Sequence, residues 1–163
     1  MHLEHHSLCY ELDEMKIGIV CSHGGHYTEM LQILEAFSGR EVFIATYHSV
    51  REGEVRGIGR AYFTDNMGAS VWNMLKGWFW ALKVLRRERP QVVVSLGAEI
   101  ALPFFYLGKL LGARTIFIES WCRVESLSLT GRLVYPAADA FWVQWPQLLE
   151  VCGSKAEYHG AVI

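Results

Sequence analysis

The sequence predicts a Rossmann-like α/β domain, a parallel sheet with helices on both faces. Short apolar runs alternate with longer segments of helical spacing along the chain. The runs are continuously apolar, as strands covered on both faces are. Glycine turns close several of them, at Gly24-Gly25 and at Gly97.

Each element follows from its residues. Lys16 to Ser22 (KIGIVCS) reads as a buried first strand. Tyr27, Met30, Leu31, Leu34 and Phe37 recur at helical spacing, so a helix is expected over 27–37. Glu41 to Tyr47 (EVFIATY) is a second strand, and the polar, glycine-containing stretch 48–59 reads as a loop. Ala61 to Phe63 is a short third strand. Ser70 to Arg89 is a long helix stopped by Pro90, and Gln91 to Leu96 (QVVVSL) is the next strand. Ile100 to Leu111 is helical, with Pro103 tolerated in its first turn and Gly112 ending it. Arg114 to Glu119 is a strand, Leu127 to Tyr135 a helix and Ala140 to Gln144 a strand. A short helix and a last strand near Tyr158 close the chain.

The 163 residues suit one domain, expected over 15–163, with residues 1–14 as a polar, disordered leader. The histidines of that leader carry no expectation of a metal site. Hydrophobic residues make up 52 % of the chain and the net charge is −2. Counted with glycine in place of tyrosine, the apolar share still exceeds the ~45–50 % of ordinary soluble domains. This excludes a disordered chain and implies apolar surface that a partner or a bilayer covers. Near-neutral charge gives no global case for nucleic acid. Cys9, Cys21, Cys122 and Cys152 form no CxxC pair, so a zinc ribbon is not expected and the thiols read as reduced. No signal-peptide pattern opens the chain.

Ligands of such sheets bind beyond the carboxyl ends of the strands, so the turns after residues 22, 96 and 119 matter most. Ser22-His23-Gly24-Gly25-His26 joins the first strand to the first helix. Its glycines admit a close ligand, and the helix start offers free N–H groups that suit phosphate. His26 can face the same ligand, with Glu29 one turn on. The loop could equally be only a tight turn. The GxGxxG dinucleotide fingerprint is absent. Glu119-Ser120-Trp121-Cys122-Arg123 forms the second constellation. A carboxylate at a strand mouth could orient a sugar hydroxyl or act as a base, and Arg123 could bind phosphate or simply pair with Glu119 or Glu125. Glu99 reads as a helix-start carboxylate without a ligand. Cys21 and Cys122 read as inert.

Two stripes divide the long helix. Val71, Met74, Leu75, Trp78, Leu82 and Leu85 suit the sheet. Trp72, Lys76, Phe79, Trp80, Lys83 and Arg87 mix aromatics with cations, as a bilayer interface requires. A plain surface helix or a protein interface fits the second stripe too. The helix is too short and too often broken by polar residues to span a membrane.

Residues 22–31 (SHGGHYTEML), 118–124 (IESWCRV), 127–133 (LSLTGRL) and 135–145 (YPAADAFWVQW) closely resemble one family. It holds the acceptor-side subunits of two-component UDP-sugar glycosyltransferases. These include the eukaryotic subunit that serves addition of the second N-acetylglucosamine to dolichol diphosphate, and the bacterial PssD-type oligosaccharide biosynthesis proteins. The resemblance covers nearly everything from Met15 to Ile163, and the family is similar to the N-terminal half of MurG-like GT-B enzymes. It implies a heterodimer with a donor-binding subunit that holds most of the UDP-sugar, and no other cofactor or metal. It implies a lipid-diphosphate-linked saccharide as acceptor, exopolysaccharide or capsule assembly, and a peripheral place on the cytoplasmic face of the plasma membrane. By motif, Gly24, Gly25, His26, Glu29 and Arg123 are expected to meet the acceptor. His26 is the first candidate base, because imidazole titrates near neutrality, and Glu119 the second. Trp72 to Arg87 is expected to replace the transmembrane helix of the eukaryotic relative. A non-catalytic membrane scaffold and a stand-alone nucleotide-binding enzyme are the alternatives.

Overall fold

The structure, a computed structural model, describes residues 15–162, so the expected leader over 1–14 lies outside the described residues. Seven parallel strands form one sheet: β1 (Lys16–Val20), β2 (Glu41–Tyr47), β3 (Arg60–Thr64), β4 (Val92–Ser95), β5 (Arg114–Ile118), β6 (Ala140–Val143) and β7 (Ala156–Tyr158). Their order is β3-β2-β1-β4-β5-β6-β7, and every pairing is parallel. The order reverses between β1 and β4, which opens a crevice at the carboxyl ends.

Successive residues of a strand serve opposite faces. Ile17, Ile19 and Ile44 pack with Tyr27 and Met30 of α1 (Gly25–Ile33) and with Val55 of α2 (Glu52–Ile58). Phe43, Val93, Phe117 and Phe141 pack on the other face against α3 (Val71–Glu88), α4 (Ala101–Leu110) and α5 (Leu129–Val134). The short α6 (Leu149–Cys152) joins that second layer through Cys152. The expected layer architecture is therefore present.

Two expectations need correction. The stretch 48–59 is not all loop, because 52–58 forms α2. Glu52 accepts from His48 at 2.7 Å and from Arg56 at 3.5 Å, a run of i,i+4 pairs, while Val55 is buried. Gly53 and Gly57 hide this helix from a propensity scan.

The second correction concerns α3. Ser70 caps its start by accepting from Asn73 N–H, and Arg89 closes its end in the left-handed region before Pro90. Its buried face, however, is Gly77, Ala81, Val84, Leu85 and Glu88. The helix lies close on its neighbours through small residues, since a Cβ at Gly77 would run into Met67. Val71 and Leu75, expected inside, are 80 % and 48 % exposed. Trp80, expected outside, is half-buried and meets Phe104 edge to face at 5.6 Å. Trp72, Lys76, Phe79, Lys83 and Arg87 are exposed as expected.

Candidate functional site

A cleft of about 570 Å³ lies at the carboxyl ends of the strands. Five segments build it: the start of α1 with Gly25, His26 and Glu29; Gly68 and Met74 around the start of α3; Ala98 and Glu99 after β4; Ser120, Cys122 and Arg123 after β5; and residues 128–130 at the start of α5. Another cavity, of about 540 Å³, lies at the amino ends between Arg86, Arg89 and Gly112. Only the first has the strand-end loops that carry chemistry in such sheets.

The glycine loop acts as expected in one respect. Gly24 takes φ +88° as the residue before α1, a conformation that glycine adopts without steric cost. No side chain caps the helix, so its first N–H groups have no protein acceptor from a cap. His26 stands in this first turn and lines the cleft. Its ring covers Gly97, where a Cβ would sit 2.6 Å from His26 Cε1. Its Nδ1 is buried and has no hydrogen-bond partner among the described residues.

Glu29 is the hinge-pin of the cleft wall. It is only 3 % exposed. One oxygen accepts from Ser120 Oγ at 2.8 Å, and the other from Gln144 Nε2 at 2.8 Å and Trp121 N at 3.2 Å. Gln144 also donates to Glu119 O at 3.0 Å. One carboxylate thus ties α1 to the loops after β5 and β6, across more than 90 residues of sequence. Its body faces these partners, although it also touches the cleft.

Glu119 differs from its expectation as an open carboxylate. It is 0 % exposed and does not line the cleft. Ser120 N donates to it at 3.0 Å, Ser128 N at 3.0 Å and Ser128 Oγ at 3.1 Å. A Cβ at Gly131 would run into its carboxyl, so α5 can seat its first turn there only with glycine. Burial pushes the Glu119 carboxyl above the ordinary range, against the pull of these donors and the more distant Arg123. A raised folded pKa means that folding takes up protons, so this group's contribution falls as pH rises from about 4 toward neutrality. Glu88 and Asp139 are shifted down and act in the opposite sense in acid. They are common to wild type and a Glu119→Gln variant, so the difference between the two isolates Glu119. Wild type should lose stability relative to Glu119→Gln as pH rises from 4 to 7 in urea titrations. A difference that moves the other way would contradict the burial effect.

Arg123 lines the cleft and makes no ion pair among the described residues, so the alternative of a local pair with Glu119 or Glu125 does not form. Cys122 is exposed at the same rim, whereas Cys21 is buried and its thiol is pushed up to about 12 by desolvation. Glu99, expected as a helix-start carboxylate without a ligand, instead lines the cleft and accepts from Tyr47 Oη at 2.8 Å. The turn at Gly97 was legible, but no local pattern shows that it carries the Glu99 carboxylate toward Tyr47. No three His, Cys, Asp or Glu side chains gather around a metal-sized space among the described residues.

Comparison with known proteins gives the site a context. A profile of the family described as oligosaccharide biosynthesis protein Alg14 like matches residues 54–162. The UDP-N-acetylglucosamine transferase subunit ALG14 of Eremothecium gossypii is 30 % identical over 89 % of this chain and 79 % of its own length. Its namesakes in Yarrowia lipolytica and Homo sapiens are 28 % and 27 % identical over 91 % and 93 % of this chain, and 81 % and 84 % of theirs. Among solved structures, Acinetobacter baumannii MurG superposes with a TM-score of 0.68 at 16 % identity. It is covered over 42 % of its length by 81 % of this chain. UDP-GlcNAc 2-epimerase from Neisseria meningitidis gives 0.68 at 12 % identity, over 47 % of its length and 91 % of this chain. This chain therefore spans less than half of those solved proteins, and at such identities the likeness is one of fold.

Proposed function

Because the chain belongs to the Alg14-like family of oligosaccharide biosynthesis proteins, we propose that it is the acceptor-binding, membrane-docking subunit of a two-component glycosyltransferase. A separate subunit would bind the UDP-sugar, and this chain alone would be inactive. The relatives it covers over about four-fifths of their length are themselves named as transferase subunits. UDP-N-acetylglucosamine, from their names, is the donor to test first. Assembly of exopolysaccharide or capsule on the cytoplasmic face of the plasma membrane is the setting that the sequence resemblance suggests.

The observation that carries the proposal is the cleft itself. It brings the free N–H groups of α1, His26 and the unpaired Arg123 around one space. The helix start and Arg123 suit a diphosphate. We assign to His26, which lines the cleft, the removal of the acceptor hydroxyl's proton as that hydroxyl oxygen bonds to the anomeric carbon. The bond from that carbon to UDP breaks, and UDP leaves with the electron pair. Glu119 has its oxygens engaged inside the fold, so we assign it a positioning role for α5 and the loop after β5.

The exposed side of α3 starts beside the cleft, which Met74 of the same helix lines. Trp72 and Phe79 are 66 % and 70 % exposed, with Val71 and Leu75 next to them. Lys76, Lys83 and Arg87 stand among them. Rings at headgroup level with cations toward anionic lipid would hold the cleft against a bilayer, where a lipid-linked acceptor resides. No helix among the described residues is long and apolar enough to cross a membrane.

The test is purification from native membranes followed by reconstitution. A stoichiometric α/β partner with UDP-sugar transfer only in the pair is expected. A chain that elutes alone and acts on a nucleotide substrate overturns the proposal. Docking has its own check. Changing Lys76, Lys83 and Arg87 to Glu should weaken binding to phosphatidylserine vesicles by at least ~100-fold, from about 1 kcal/mol per cation. Unchanged sedimentation would assign that face to a protein.

A further inference from the structure

We propose that Glu99 is the sugar-reading residue of the cleft, accepting hydrogen bonds from hydroxyls of the acceptor's diphosphate-linked saccharide. This rests on the acceptor-binding function proposed above and adds to it the direction in which the acceptor lies.

Three observations converge on this side chain. Glu99 lines the cleft and is half-buried, yet it pairs with no Lys, Arg or His among the described residues. A desolvated carboxylate without a cation needs hydroxyl or amide donors. The protein supplies one. Tyr47 Oη donates to Oε1 at 2.8 Å, from a phenol that is itself 3 % exposed at the end of β2. Burial and the neighbouring carboxylate push that phenol up, so it stays a donor at neutral pH. The backbone of Gly68 closes the same side, since a Cβ there would sit 2.9 Å from Oε1. Oε2 has no protein partner in the hydrogen bonds of the described residues.

The third observation is backbone strain. Gly97 has φ +127° and Ala98, which carries a Cβ, has φ +69°. Two consecutive residues on the positive-φ side form the turn that delivers Glu99 to the cleft. A non-glycine residue held there is unfavourable, and such strain gathers where a ligand must be met. The Ala98 and Glu99 carbonyls accept from Ala101 N and Leu102 N at the start of α4, while the Glu99 carboxylate accepts from none of that turn's N–H groups and is left to the cleft.

Charge fixes the orientation. A carboxylate repels phosphate and accepts from sugar hydroxyls, whereas Arg123, on the loop after the neighbouring β5, attracts phosphate. The acceptor therefore lies with its diphosphate toward Arg123 and the start of α1. Its sugar ring lies toward Glu99 and Tyr47.

Binding of two probes to the full chain tests this by calorimetry: a short-chain prenyl diphosphate, and the same molecule carrying N-acetylglucosamine. Wild type should prefer the sugar-bearing probe. Glu99→Gln should lose about tenfold of affinity for that probe, the scale of a hydrogen bond to a charged group, and none for the bare diphosphate. Tyr47→Phe keeps the carboxylate and should lose about threefold in the same selective way. Equal losses for both probes, or no loss in either variant, overturn the assignment of Glu99 and leave acceptor binding intact. Wild type that binds neither probe overturns acceptor binding and the Glu99 assignment together.

Discussion

Replacement of His26 by alanine is expected to lower sugar transfer by the reconstituted pair about 10²–10⁴-fold, the usual contribution of a positioned general base. His26 is in the first turn of α1 and is the one imidazole among the residues lining the cleft. The loss should fall on kcat more than on KM, because the proton moves only in the transition state. Fold should survive, because the ring is partly exposed and its buried Nδ1 makes no hydrogen bond within the described residues. The checks are steady-state transfer, thermal melting and co-purification with the partner. Full activity in that variant would move the base to the other subunit and leave this chain as a scaffold.

Glu29→Ala is expected to be the most destabilising single change near the cleft. Three donors lose a buried acceptor at once. At roughly 1.5–3 kcal/mol for each hydrogen bond to a charged group, with partial relaxation, the cost is about 3–5 kcal/mol. A domain of this size loses about 2–4 °C of Tm per kcal/mol, so a fall of about 10 °C is expected by calorimetry. Amide exchange should rise first at 120–123, whose turn is held by Glu29. An unchanged Tm would show that the network holds no stability. Glu29→Gln should lie between the two, because an amide keeps one acceptor but sets a second donor against donors.

The layer architecture and the strands were legible, the last one near Tyr158 included, chiefly because buried parallel strands write themselves as apolar runs such as Val92 to Val94. The cleft was legible at its Gly24–His26 corner, where glycine spacing and a helix start coincide. Other parts were written in distances that no local pattern holds. Glu29 finds Gln144 across 115 residues, and Tyr47 finds Glu99 across 52. Glu119 misled because a carboxylate at a strand end has the same one-letter signature whether it opens to a ligand or seats a helix. The α3 faces misled because heptad-like reasoning follows large residues. This helix approaches its neighbours through Gly77 and Ala81 instead, and turns larger apolar side chains outward.

The strand order has a consequence for the chain as it is made. β1 ends at Val20 and its second neighbour β4 begins only at Val92. At about 5–20 residues per second, the ribosome needs roughly 4–14 s to deliver the missing strand. Through that interval β1 can pair with β2 alone, and its other backbone edge stays open beside Ile17 and Ile19. Unpaired apolar edges are templates for aggregation. Nascent chains of this protein should therefore depend on chaperone cover between β2 and β4, and slow codons placed before Val92 should lower its soluble yield more than the same codons placed after β5.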